Sequence, residues 1–233
     1  MIEQVIQWDK ELLVALNGSS SLFLDGIMMT ITMTTTWIPL YLCLLYAIIR
    51  NNKWRDCLLI VVTIALLVTL ADQFASGFCK PYFHRLRPSQ SPDLAEVIDL
   101  VNGYRSGLYG FISSHAANTF SIGVFFIFLF REWKVSILLI LYACMASYSR
   151  IYLGVHYPLD IAVGTLWGIL CGTLVYSAYR MVNNRFCRSA NAKVSAYTTI
   201  TGYRHTDFIP VFVVFPLILV YIIIRAFLFT YTF

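Results

Sequence analysis

Charge is what this sequence has least of. Only 12% of its 233 residues are Asp, Glu, Lys or Arg, against about a quarter in soluble domains, and 59% are hydrophobic. That shortage excludes an ordinary water-soluble fold, because several apolar runs reach the roughly 20 residues needed to cross a hydrocarbon core. A C-x-x-C pair is also missing. The six cysteines (43, 57, 79, 144, 171 and 187) show no framework spacing and read as small apolar residues of the runs. No internal repeat appears, which disfavours a transporter built from inverted halves. The opening stretch MIEQVIQWDKELLVALNGSSS lacks the basic start and unbroken apolar core of a signal peptide. Its Ile2, Val5, Ile6, Leu12, Leu13 and Leu16 recur at helical spacing instead. They predict an amphipathic interfacial helix ending near Asn17-Gly18, within an N-terminal segment 1–24.

The remainder, 25–233, reads as one all-α membrane domain, a bundle of six transmembrane helices at about 26–49, 57–79, 112–130, 135–153, 159–179 and 208–230. The stretch from Gly26 to Ile49 carries no charge and predicts an unbroken span. Six spans put loops 50–56, 131–134 and 180–207 on one side, with ten Lys and Arg including Arg188 and Lys193. The N-terminus and loops 80–111 and 154–158 share the other side, with six: Lys10, Lys80, Arg85, Arg87, Arg105 and Arg150. Cations accumulate in cytoplasmic loops, so the 80–111 loop is expected outside the cytoplasm. Within it, Ser91 as N-cap, Pro92 at the first helical position and the stripe Leu94, Val97, Ile98, Val101 predict a short surface helix ended by Gly103.

Ionisable residues at membrane depth are costly and tend to be functional. Here they form three clusters on that same side: KPYFHRLRP with Lys80 and Arg87, FISSHAAN with Ser113, Ser114 and His115, and SRIYLGVHYPLD with Arg150, His156 and Asp160. Three fixed cations suit a tetrahedral dianion, and the helix start at Ser113-Ser114-His115 presents free N–H groups to it. Pro158 suits the first turn of the fifth span, which sets His156 just ahead of that helix and Asp160 inside its first turn. A carboxylate there can fix the imidazole tautomer and leave the other nitrogen as nucleophile, while His115 protonates a leaving oxygen. That is phosphoryl transfer through a phosphohistidine. Acids are too few and scattered for a two-carboxylate Mg²⁺ site, so no metal and no cofactor are expected. A Ser-His-Asp hydrolase is the rival among enzymes, but Ser113 and His115 are only two apart and no nucleophile-elbow sequence surrounds the serine. His84 lies inside the first cluster but off its motif positions and reads as an interfacial histidine, Asp72 lies about two turns below Lys80, and His205 lies in the opposite loop.

The series Lys80-x6-Arg87-Pro88, Ser113-x-His115, Ser149-Arg150-x5-His156-x3-Asp160 resembles the type 2 phosphatidic acid phosphatase (PAP2) family over about residues 26–230. The family usually has Pro-Ser-Gly-His where this chain has Ile112-Ser113-Ser114-His115. The resemblance implies metal-free hydrolysis of a lipid phosphate, with His156 as nucleophile, Asp160 as its orienter and His115 as acid. Lys80, Arg87, Ser113, Ser114 and Arg150 would hold the phosphate. Its partners would be the lipid substrate and the bilayer, with no nucleic acid, and its place a bacterial inner membrane with the site facing the periplasm or exterior. The expected substrate is an envelope lipid, undecaprenyl diphosphate or a lipid A phosphate. The alternatives are phosphatidylglycerol phosphate, phosphatidic acid, phosphoryl transfer to a second lipid, or a non-enzyme (a transporter or an inactive structural homologue).

Overall fold

The computed structural model describes residues 1–186 and 195–232. Cys187, Arg188 and Lys193 lie outside the described residues. Helix α1 (Ile2–Leu16) ends at Asn17, and Gly18 follows at φ +60°, a conformation that favours glycine. Most of α1 is exposed, but Leu13 is fully buried against Leu94, Ile98, Ala116, Ile151, Tyr157 and Ile161. The helix docks on one end of the bundle by a narrow edge that also carries Asp9.

The uncharged stretch 26–49 is not one helix. It divides into α2 (Leu22–Thr32) and α3 (Ile38–Asn51), joined by a 3₁₀ turn over Thr34–Trp37 and bent by 70°. The cause is the threonine run MTTTWIP. Thr36 Oγ1 donates to the Thr30 carbonyl at 2.7 Å and Trp37 Nε1 to the Ile31 carbonyl at 2.9 Å, taking acceptors that a continuing helix would use. Pro39, in the first turn of α3, has no N–H to extend the ladder backwards.

Helix α4 (Trp54–Asp72) runs through a π-helical stretch, Gln73–Cys79, into the short α5 (Lys80–Phe83). The remaining helices are α6 (Ser114–Phe130), α7 (Trp133–Tyr152), α8 (Pro158–Phe186) and α9 (Ile209–Thr232). Among the described residues, four continuous helical stretches are long and apolar enough to cross a membrane: Trp54–Phe83, Trp133–Tyr152, Pro158–Arg185 and His205–Tyr231. The bent α2–α3 pair makes a fifth if taken as one span, and α6 is shorter. The protein is an all-helical integral membrane protein.

The surface helix expected after Ser91 is replaced by two separate 3₁₀ turns, Pro92–Leu94 and Val101–Gly103. Leu94, Ile98 and Val101 are buried as the stripe predicts, but Val97 is exposed. Tertiary bonding wins over the local pattern here. Asn17 of α1 accepts from the Asp99 N–H at 2.7 Å and donates to the Asp99 carbonyl at 3.0 Å, diverting the backbone in mid-segment.

The bundle's central contact is α6 on α8. Gly164, Gly168 and Gly172 recur every four residues along α8, and a Cβ on them would stand 2.6, 2.5 and 2.6 Å from the carbonyl oxygens of Ser113, Ala117 and Ser121. Only glycine permits so close a backbone approach, as in small-x-x-x-small membrane helix pairs. This contact brings the start of α6 against the start of α8, where the Ser113 N–H donates to the Asp160 carbonyl at 3.0 Å.

Candidate active site

The three clusters meet at this end of the bundle. The first is held by a pairing of chain 85–87 with 108–110: the Arg87 N–H donates to the Leu108 carbonyl and the Gly110 N–H to the Arg85 carbonyl, at 3.0 and 2.9 Å. Side chains two apart on an extended segment share a face. Arg85 and Arg87 therefore both point inward. Gly110 passes directly over the site, where an added Cβ would lie 3.0 Å from Asp160 Oδ2 and 3.6 Å from His156 Nδ1.

His156 and Asp160 are 1% and 0% exposed. The imidazole Nδ1 lies 3.3 Å from Asp160 Oδ2, which also accepts the Tyr157 N–H at 3.1 Å. On the far side of the ring, Arg87 Nη1 is 2.7 Å from Nε2 and 2.9 Å from the Val155 carbonyl. A guanidinium only donates, so Nε2 is the acceptor and Nδ1 carries the proton toward Asp160. Burial, then the charges of Arg87, Arg150, Lys80 and His115, hold the His156 pKa well below the ordinary imidazole range. The ring is neutral at pH 7. Burial and Arg150 also lower Arg87, to about 10, and it stays charged.

Lys80, at the end of the π-helical stretch, donates to Ser76 Oγ and Ser114 Oγ, both at 3.0 Å. Ser76 in turn donates to Asp72 Oδ1 at 3.3 Å, which links Asp72 to Lys80 through Ser76. Ser114 is absent from the positive-φ residues and opens α6 with helical backbone. The serine thus sits where the family usually has glycine without backbone strain, and its hydroxyl anchors Lys80. Ser113 caps α6, its Oγ accepting the Ala116 N–H at 3.4 Å. His115 lies half-buried in the first turn of that helix. Arg150 Nη1 donates to Thr32 Oγ1 at 2.6 Å and Tyr104 Oη at 3.0 Å, and its guanidinium lies 5.6 Å from the Tyr104 ring centroid. Its Nε has no protein partner, and neither has that of Arg87. Both are buried donors left unsatisfied by the protein.

His84 stands apart: it ends α5 at φ +46° with its ring edge-on to Tyr109. His205 pairs with Glu132 at 2.5 Å, away from these clusters. Arg85 is the residue that motif spacing passes over. Its Nη1 donates to Asp160 Oδ1 at 2.8 Å and its Nη2 to Asp9 Oδ2 at 2.6 Å. Two-residue spacing from Arg87 on an extended loop was the available signal. Among the described residues no group of three or more His, Cys, Asp or Glu is arranged to hold a metal ion.

Comparison with known proteins identifies the family. Residues 61–184 match the PAP2 superfamily model, an interval that contains all three clusters. The chain is 42% identical to a lipid A 4'-phosphatase of Bacteroides thetaiotaomicron over 76% of its own length and 79% of the relative's. It is 35% identical to a lipid A 4'-phosphatase of Porphyromonas gingivalis, over 79% and 78%. Among solved structures it resembles that of Aquifex aeolicus LpxE, with a TM-score of 0.53 and 27% identity, covering 72% of this chain and 93% of that one. With more than half of its length matched by one family model and three-quarters aligned to phosphatases of that kind, the chain belongs to the PAP2 superfamily and is a metal-independent lipid phosphatase.

Proposed function

We propose that the protein removes a phosphate from lipid A at the periplasmic face of a bacterial inner membrane, through a phosphohistidine on His156. The observation that carries the chemistry is a neutral, buried imidazole with Nδ1 on Asp160 and Nε2 turned into a basin of three cations. Substrate phosphate would draw the Arg87 guanidinium off Nε2 onto its own oxygens, where Lys80 and Arg150 complete the charge and Ser113 and Ser114 flank the start of α6. Nε2 attacks phosphorus and the bond to the lipid oxygen breaks, with a proton from His115 leaving on the lipid hydroxyl. Asp160 supports the positive charge that develops on the ring. In the second half, His115 takes a proton from water, the water oxygen attacks phosphorus, and the P–N electron pair returns to Nε2 as phosphate departs. The dianion's own charge favours protonation of His115 in the first step.

Lipid A is favoured because the two relatives described above, each matching more than three-quarters of this chain at 42% and 35% identity, are lipid A 4'-phosphatases. In the membrane we take α2–α3 as one bent span and α6 as a short one, giving six. Segment 1–24 then lies at the surface beside the site, ahead of the bundle 25–233. The surplus of Lys and Arg on the far loops supports the sidedness. Purified protein in mixed micelles should release phosphate from lipid A faster than from undecaprenyl diphosphate, phosphatidylglycerol phosphate or phosphatidic acid. With ³²P-labelled lipid A, a rapid quench should trap an acid-labile, alkali-stable label in the wild type and none in His156→Ala. A tenfold preference for phosphatidic acid, about 1.4 kcal/mol of transition-state discrimination, would overturn the substrate. Turnover retained in His156→Ala would overturn the nucleophile.

A further inference from the structure

We propose that Asp9 and Arg85 are positioning residues of the reaction: a chain Asp9–Arg85–Asp160–His156 makes the N-terminal helix part of the catalytic apparatus. The inference rests on the reading of His156 as nucleophile. Asp9 is 6% exposed on a helix most of whose other residues face outward, and it is buried together with Leu13, one turn further on. A surface helix does not ordinarily bury a carboxylate. Each oxygen of this one is engaged: Oδ2 accepts from Arg85 at 2.6 Å, and Oδ1 accepts the Leu159 N–H, in the first turn of α8, at 2.8 Å. That N–H is one of the donors a helix start leaves unpaired. The Arg85 guanidinium lies 4.0 Å from the Tyr157 ring centroid while its other arm holds Asp160 Oδ1 at 2.8 Å. Residues 156–160 are thus gripped from outside at the Tyr157 ring, the Leu159 amide and the Asp160 carboxylate. With Oδ1 occupied, Oδ2 alone faces the Tyr157 N–H and His156 Nδ1.

Charge assigns a second task. Arg85 alone would neutralise Asp160 and weaken its support of a positive imidazole. Asp9 shares the guanidinium and leaves Asp160 part of its charge. Lys80, Arg87 and Arg150 against Asp160, with Asp9 and Arg85 cancelling, leave two positive charges to meet a phosphate dianion. Neither Asp9 nor Arg85 occupies a phosphate-facing position, so the effect belongs in kcat rather than KM. Asp9 also lies outside the 61–184 interval that marks the family.

The test compares Asp9→Asn, Asp9→Glu and Arg85→Lys in the full-length enzyme, with Leu13→Ala and Lys10→Ala as controls on the same helix. Lys10 makes only an exposed pair with Asp93. Asp9→Asn should lower kcat about tenfold, at the lower end of what loss of a group orienting a catalytic ligand costs, with KM within twofold. It should also displace the pH profile of kcat. The groups that face His156 and set that profile are Asp160, Arg87, Arg150, Lys80 and His115, and those on Arg85 are Asp9, Asp160 and Tyr157. Asp9→Glu should recover most of the rate. Leu13→Ala should lower the melting temperature without moving the profile, and Lys10→Ala should do neither. If Asp9→Asn does not fold, Arg85→Lys, which keeps the charge but cannot hold both carboxylates, should show the same loss of kcat. Wild-type kcat and pH profile in either variant, or a loss that Leu13→Ala reproduces, overturns the proposal. An inactive His156→Ala beside such a result would show that the relay fails while the nucleophile stands.

Discussion

A single methyl group placed on α8 tests whether the glycine stripe holds the site together. Gly164 lies one turn beyond Asp160, and a Cβ there would be 2.6 Å from the carbonyl oxygen of Ser113, the residue that caps α6 and is tied to Asp160. To restore ordinary contact the two backbones must part by roughly 0.8 Å, an overpacking that costs about 1–3 kcal/mol. The movement falls between the second and third clusters. A misplacement near 1 Å costs on the order of 100-fold in rate, so Gly164→Ala should lose about that much in kcat. Gly172→Ala inserts the same methyl against Ser121, two turns deeper, and should destabilise the protein similarly while sparing more of the rate. Gly123 on α6 has open space where its Cβ would go, and Gly123→Ala should keep full activity and gain up to about 1 kcal/mol from helix propensity. Phosphate release and thermal unfolding in one detergent would give both quantities. Equal kcat losses at 164 and 172, or full kcat at 164 beside a lowered melting temperature, would refute the idea that this stripe sets the catalytic geometry.

Four other outcomes are expected. Ser114→Ala removes an acceptor of Lys80 and should raise KM up to about tenfold, the worth of one hydrogen bond to a charged group; an unchanged KM would mean Lys80 is held by Ser76 alone. Arg150→Lys loses the arrangement that meets Thr32 and Tyr104 together, and should cost about 2 kcal/mol of stability in denaturation as well as most turnover. Because the fold depresses the His156 pKa, the unfolded chain binds a proton that the folded one refuses. The stability difference is therefore fully present above about 6.5 and shrinks as pH falls below it, so melting curves of His156→Ala should depend less on pH between about 5 and 7 than those of the wild type. In a cysteine-free background, an impermeant thiol reagent should reach a cysteine at Gln90 in intact spheroplasts but not one at Lys53; the reverse pattern would invert the proposed topology.

The apolar runs and the three polar clusters could be read from the chain because each depends on residue type at fixed spacing. What escaped depended on partners remote in sequence. The break after Thr32 was hidden because hydropathy averages threonine into an apolar run, while its hydroxyl competes for backbone carbonyls. The helix expected after Ser91 had a sound local pattern, but Asn17, more than 80 residues away, takes the Asp99 backbone for itself. Arg85 was counted as one more loop cation, since the Lys80 to Arg87 spacing draws the eye past it. Asp9 was hidden most completely. Like Glu3 and Glu11 on the same helix, it reads as part of the wet face, and only the docking of α1 against α8 buries it.

The π-helical stretch from Gln73 to Cys79 acts as a vernier on the angle at which Lys80 arrives. Its wider winding, with the Lys80 N–H reaching back five residues to the Ala75 carbonyl, accommodates an extra residue without ending the helix. Phe74, Phe78 and Tyr82 stay stacked on one another along the outer side, with Phe74 also against Trp167, while Lys80 turns inward to Ser114. Each residue of helix advances the azimuth by about 100°. The π winding advances less per residue, so forcing these seven into plain α-helix would carry the ammonium group round toward the outer side, whereas deleting one would let an α-helix close with Lys80 still turned inward. For this stretch it is the winding, more than the identity of the residues, that aims Lys80 at the phosphate site.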